Sequence, residues 1–172
     1  MKKLIQYHNL IILVTFISAF LPRFVTWIYP NFSQYGLIVY DVKLYTDCGM
    51  AMTEAISALD IKKFASINVG VPPLGTLLVG LSVSIFGTWL GAYKAGLLAP
   101  IIASSLSAPL IYLTLRKFSN KAGIAAALLF SFDPYLIQFS SAYLDAIGTF
   151  FLLIAMFFFI TSDELSFRRW LL

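Results

Sequence analysis

Eight acidic side chains occur among 172 residues, and near a bilayer each one is costly enough to need a reason. Asp41 and Asp145 have the types and positions best suited to chemistry. They lie far apart in sequence, and each falls at the edge of an apolar stretch. Two carboxylates meeting at a membrane surface can do acid–base work. They can equally bind a cation or simply stand in water. Asp133 sits inside an apolar stretch, in Phe132-Asp133-Pro134. It is expected to accept backbone N–H bonds where Pro134 breaks a helix. Asp60, beside Lys62 and Lys63, reads as a surface charge pair. Asp163 and Glu164 read as solvated groups at the end of the last apolar stretch.

The elements that must position these groups are hydrophobic. The chain is 60% hydrophobic and only 12% charged, against about 25% charged in a soluble domain. That balance excludes both an ordinary soluble fold and a disordered chain. A single cysteine, Cys48, excludes a disulfide scaffold and a Cys-rich metal site; it reads as a small apolar packing residue. A single histidine, His8, excludes a His cluster and reads as an interfacial side chain. GxGxxG, GxxxxGK[ST] and HExxH are absent, which removes the common nucleotide and zinc signatures. The net charge of +4 encodes membrane orientation and not nucleic-acid binding.

Leu10–Tyr29 is the first stretch long enough to span a bilayer. Lys2 and Lys3 precede it, Trp27 and Tyr29 close it, and Arg23 is expected to snorkel outward from its far end. A signal peptide is the rival reading. No convincing small-x-small site follows Phe20, so an uncleaved anchor is expected. Residues 30–73 hold Asp41, Lys43, Asp47, Glu54, Asp60, Lys62 and Lys63 and no long apolar run, too much chain for a simple connector. Four apolar stretches follow: Leu74–Ala92, Ala95–Leu115, Ala122–Phe139 and Ala146–Ile160.

Charge chooses between topologies. If all four crossed, Arg116, Lys117, Lys121, Arg168 and Arg169 would lie opposite Lys2 and Lys3, against the positive-inside rule. If Leu74–Ala92 does not cross, all these cations share one side. That stretch is therefore read as an interfacial or re-entrant helix, and its Gly75, Gly80, Gly87 and Gly91 suit close packing against protein. The expected fold is an all-α integral membrane protein with about four spans. It forms a single transmembrane module over 1–172 with both termini cytosolic. Residues 30–94 form a long outer loop carrying juxtamembrane helices. Pro100 and Pro109 are expected to kink the second span. Within the loop, Leu44, Met52, Ala55 and Leu59 can share one face of a helix lying on the membrane.

Three blocks, in order over residues 41–160, resemble the GT-C glycosyltransferases. The likeness is to dolichyl-phosphate-mannose–protein mannosyltransferases and bacterial lipid A aminoarabinose transferases. The first block is Asp41-Val42-Lys43-Leu44-Tyr45-Thr46-Asp47 and the residues after it. Asp41 and Tyr45 match the family pattern, and Val42 stands where a Glu is usual. The second, from Val71-Pro72-Pro73-Leu74-Gly75 to Phe86-Gly87, resembles a Pro-Pro-Leu-Gly segment with an apolar helix. Val71 replaces a basic residue there, and Thr76 a lysine. The third runs from Ala92-Tyr93-Lys94 through Leu115-Arg116 and Asp133-Pro134 to Tyr143-Leu144-Asp145, with Lys94 where Arg is usual.

The resemblance implies a reaction in which sugar passes from a polyprenyl-phosphate donor to an acceptor at the outer membrane face. The acceptor is a protein, a lipid or a glycan. Asp41 would be the general base. Asp145 would position the acceptor or stabilise developing charge. Tyr45, Asp47, Pro72, Pro73 and Lys94 would line the substrate, with Lys94 on the donor phosphate. No cofactor is implied, since the lipid-linked sugar is a substrate; metal dependence stays open, because two outer carboxylates could bind a divalent ion. The location implied is the plasma membrane, or the ER membrane in a eukaryote. Family members are longer, and the chain stops at what reads as the start of another span; an N-terminal portion, completed by a missing C-terminal portion or a longer homologue, is expected. Two other classes remain open: a non-catalytic accessory subunit, and a transporter fragment, which would need polar groups facing one another deep in the bundle.

Overall fold

The structure, a computed structural model, describes residues 2–28, 36–67, 73–140 and 146–162; at 2–5, 36–42 and 139–140 it describes the backbone alone. Asp145 and Pro72 lie outside the described residues, as does the tail with Asp163, Glu164, Arg168 and Arg169. Every element is a helix: α1 Lys2–Ile28, α2 Gly36–Ser57, α3 Ile61–Ser66, α4 Pro73–Leu90, α5 Ala92–Leu115, α6 Asn120–Phe132, α7 Pro134–Ser140 and α8 Ala146–Thr161. No strand occurs among the described residues. Three helices are long and apolar enough to cross a membrane: α1 from Gln6, α4 and α5. α6 and α8 are shorter apolar helices. The protein is an integral membrane protein.

α5 is the central helix, and α1, α4, α6 and α8 all pack on it. It can be central because its buried positions are small: Ala95, Gly96, Ala103, Ser104, Ser105, Ser107 and Ala108. Small side chains let backbones approach where lipid offers no hydrophobic drive between helices. The Ser105 hydroxyl donates to Ile101 O and Ser107 to Ala103 O, so these buried hydroxyls stay satisfied within their own helix. Pro100 and Pro109 lie inside α5, and neither ends it.

The cations gather at one end. His8, near the start of α1, hydrogen-bonds Tyr112, near the end of α5. The Lys117 ammonium, just past α5, donates to Ile160 O at the end of α8. The start of α1, the α5–α6 turn and the end of α8 therefore share an end of the bundle that carries Arg116, Lys117 and Lys121. At the opposite end the Trp27 indole donates to Lys94 O at 2.9 Å, tying the finish of α1 to the first turn of α5.

α4 and α5 meet at Gly91, whose φ of 77° and ψ of 150° make the sharp turn. A side chain there would be strained. From that turn α4 runs about 27 Å for its 18 residues. Its start, however, meets the start of α8: a Cβ at Gly75 would sit 4.0 Å from the Ile147 side chain. Ile147 lies about 20 Å along α8 from Ile160. α4 is thus of spanning length and apolar, yet begins well short of the cationic end. The sequence reading of Leu74–Ala92 as interfacial or re-entrant stands beside that geometry.

Three expectations need correction. The apolar stretch Ala122–Phe139 is two helices, divided at Asp133, which has the extended backbone (φ −64°, ψ 115°) imposed on a residue before proline. The Asp133 carboxylate accepts from Tyr135 N at 2.8 Å and Leu136 N at 3.1 Å, the local role expected for it. Asp133→Ala leaves two helix-start N–H groups without that acceptor, and is expected to cost about 1–2 kcal/mol. Thermal unfolding in detergent checks this, with Asp133→Asn losing less because its amide oxygen can still accept.

The second correction concerns Asp60. Its carboxylate accepts from Lys63 N at 2.9 Å as the N-cap of α3. The Lys63 ammonium pairs instead with Glu54 at 3.5 Å, an exposed contact of small energetic weight. The third concerns the loop helix. It begins at Gly36 and ends at Ser57. Leu59 lies beyond it, 87% exposed and with φ 54°, so it does not share the face of Met52 and Ala55. Those two are buried, and the face they belong to packs on α4.

Candidate active site

α2 and α4 cross closely at two glycines. A Cβ on Gly80 would lie 2.0 Å from Gly49 O, and one on Gly49 would lie 2.5 Å from Thr76 O and 2.7 Å from Gly80 N. One turn further along both helices, the Ser84 and Thr53 hydroxyls hydrogen-bond at 3.3 Å. The pairs 49/80 and 53/84 advance together, so the two helices run in the same direction. Asp41 lies two turns before Gly49, and its backbone is therefore carried toward the Pro73 end of α4.

Parts of the first two blocks, and the helix that follows the third, come to that end. Tyr45, one turn after Asp41, is 2% exposed and belongs to a buried cluster with Val79 of α4, Leu97 and Ile101 of α5 and Ile147 of α8. Pro73 is exposed at the first position of α4, where a missing N–H costs nothing. Gly75, two residues on, contacts Ile147. Ile147 lies two residues after Tyr143-Leu144-Asp145 in sequence, although Asp145 itself lies outside the described residues. Asp47 is exposed on α2. The Cys48 thiol beside it is held above its ordinary value, first by burial and then by the Asp47 charge. The shift favours the protonated thiol at neutral pH.

Lys94 is not brought to this place. It lies past the far end of α4 from Pro73, exposed in the first turn of α5, with its carbonyl held by Trp27. About 27 Å of helix lies between the two. Pro73 and Lys94 thus stand at opposite ends of α4.

The expectation for Arg23 needs correction as well. Expected to snorkel, it is fully buried. Its Nε donates to Ser104 Oγ at 2.7 Å, and its Nη1 donates to Ala19 O at 2.8 Å and Ser131 O at 3.3 Å. Its Nη2 donates to Phe130 O at 3.4 Å, and its Cζ lies 5.2 Å from the Phe130 ring centroid. The one available signal was an arginine five residues inside an apolar run that already ended in its own aromatic anchors.

The apolar hollow at the α2–α3 corner, lined by Ala55, Ile56, Leu59, Ile61 and Phe64, has Asp60 as its polar group and contains none of the candidates. Among the described residues no three His, Cys, Asp or Glu side chains gather as metal ligands would.

The family model for dolichyl-phosphate-mannose-protein mannosyltransferase matches residues 70–172, more than half of the chain. The chain belongs to this family. Neither the curated proteins nor the solved structures provide a match. As a mannosyltransferase-family protein it falls in a glycosyltransferase class whose setting is the membrane, in line with its apolar helices. The matched segment takes in Pro72, Pro73, Lys94, Asp133 and Asp145. Asp41, Tyr45 and Asp47 precede it, and they join it through the packing of α2 on α4.

Proposed function

We propose that this chain transfers a sugar from a polyprenyl-phosphate donor to an acceptor at the outer membrane face, on a GT-C-like scaffold. The observation that carries the reading is the junction of α2, α4 and α8. There the Asp41 helix, Pro73 and the helix that follows Asp145 come to one end of α4. Asp41 is the general base, taking the proton from the acceptor hydroxyl as that oxygen attacks the anomeric carbon. Asp145 positions the acceptor or stabilises the positive charge that builds on the sugar. Asp47 and the Pro72-Pro73 segment border the substrate, and Tyr45 supports it from the buried cluster. The donor's apolar tail lies against the exposed apolar faces of the helices. The cationic end of the bundle, with Arg116, Lys117 and Lys121, supports placing the opposite half outside.

The reading is tested with membranes containing the chain and labelled sugars on polyprenyl phosphate. Transfer to endogenous acceptors supports it; failure with every polyprenyl-phosphate sugar offered sinks it. Lys94 gives an internal comparison. Resting about three Debye lengths from the junction along α4, its exposed charge is weak there, so Lys94→Met is expected to alter transfer by less than about threefold. A loss as deep as that of Asp41→Asn would move the reaction centre to the α4–α5 turn.

A further inference from the structure

Among the described residues, Arg23 is the only charged side chain that is fully buried, and the proposed transfer step makes no use of it. Two of its four hydrogen bonds reach one place, the break between α6 and α7. In an unbroken helix the N–H of residue 134 would donate to Phe130 O, and that of residue 135 to Ser131 O. Pro134 has no N–H, and the Tyr135 N–H is turned to the Asp133 carboxylate. Both carbonyls therefore lose their helical donors. The Arg23 guanidinium supplies replacements to both, through Nη2 to Phe130 O and Nη1 to Ser131 O. Asp133 does the converse, accepting from the Tyr135 and Leu136 N–H groups that would have bonded Ser131 O and Phe132 O. Inside a bilayer no water is at hand to satisfy such groups. The same guanidinium is anchored to α5 by Ser104 and to α1 by Ala19 O.

We infer that Arg23 is a positioning residue. Arg23 and Asp133 satisfy the two sides of the Pro134 break, and Arg23 locks that break against α1 and α5, so that α7 leaves α6 in one direction. Its bearing on transfer rests on the proposed function, since α7 begins the path back to the α8 end of the junction. Its effect on structure does not.

The test uses the full chain in nanodiscs with Cys48→Ser, spin-labelled at Leu10→Cys and Gln138→Cys. A reference pair at Leu10→Cys and Leu152→Cys avoids α6 and α7; Leu10, Gln138 and Leu152 are all exposed. Arg23→Met is expected to broaden the 10–138 distance distribution and leave the 10–152 distribution sharp. Adding Pro134→Ala, which returns an N–H to Phe130 O, is expected to give one sharp 10–138 distance again, shifted toward a straight helix. Transfer by Arg23→Met is expected to fall about tenfold or more, as misplacement of supporting structure does, and to stay low in the straightened double variant. A side chain that merely fills space would lose order regardless of residue 134. If Arg23→Met does not accumulate, Arg23→Gln, which keeps a single donor group, is expected to show intermediate broadening. An unchanged 10–138 distribution in Arg23→Met or Arg23→Gln overturns the inference, as does failure of Pro134→Ala to restore order. A wild type that transfers no sugar bears on the proposed function alone, because the distance measurements need no substrate.

Discussion

Asp41→Asn is expected to lower sugar transfer by about 10²–10⁴-fold, the usual contribution of a positioned general base. The amide is nearly the same size and keeps an acceptor oxygen, so packing at the start of α2 is left alone. What it cannot do is take a proton when the acceptor oxygen attacks. The loss should therefore appear in kcat, with KM for the lipid donor close to wild type, because a group acting only in the transition state leaves ground-state binding untouched. Protein levels and melting temperature should match wild type. Robust transfer by Asp41→Asn would remove Asp41 as base and move the role to Asp47 or Asp145. Loss of folded protein alongside activity would show that Asp41 acts on structure instead.

Gly80→Leu is expected to be the most damaging substitution for stability. The neighbours of a side chain at Gly80 are the carbonyl oxygen, carbonyl carbon and Cα of Gly49. These are backbone atoms, which cannot swing away as a flexible side-chain tip can. α2 and α4 must then part, taking the Thr53–Ser84 hydrogen bond and the seating of Tyr45 against Val79 with them. The expected cost is about 3 kcal/mol or more, at the upper end for overpacked sites, read as a lowered melting temperature in detergent. Gly148 is the control. It is also helical, but a Cβ there would meet nothing within 4 Å, so Gly148→Ala should be neutral or stabilise by up to about 1 kcal/mol. Because α2 carries Asp41, Gly80→Leu should also depress transfer in whatever protein remains folded. Wild-type melting by Gly80→Leu would mean that α2 does not sit on α4 as described.

Some of this was legible residue by residue. Asp133 before Pro134 announced both the helix interruption and its own capping role, because a proline's missing N–H and the restriction it places on the preceding residue are local facts. The small residues of 74–115 announced close helix packing, since space between backbones is a property of side-chain size. Arg116, Lys117 and Lys121 announced an end of the bundle that α1 and α8 also reach. The blocks around Asp41, Pro72-Pro73 and Asp145 pointed to the family before any geometry was known.

Other features depended on where helices lie relative to one another. Arg23 followed a general tendency of long cations to reach water, yet it is buried, because the carbonyls left open by Pro134 lie more than a hundred residues away in sequence and satisfy it better than a distant interface could. Lys63 stood beside Asp60 in sequence but pairs with Glu54, one helix away, because Asp60 is occupied as a cap. Lys94 and Pro73 were both expected to line the substrate, and the length of α4 holds them apart. Composition, periodicity and local caps are short-range properties, and they determined that this is a helical membrane protein with a broken span; the order of the blocks pointed to its family. Which of those blocks meet depends on helix direction and crossing, set by the Gly49–Gly80 contact and the Gly91 turn, and only the tertiary structure decided that.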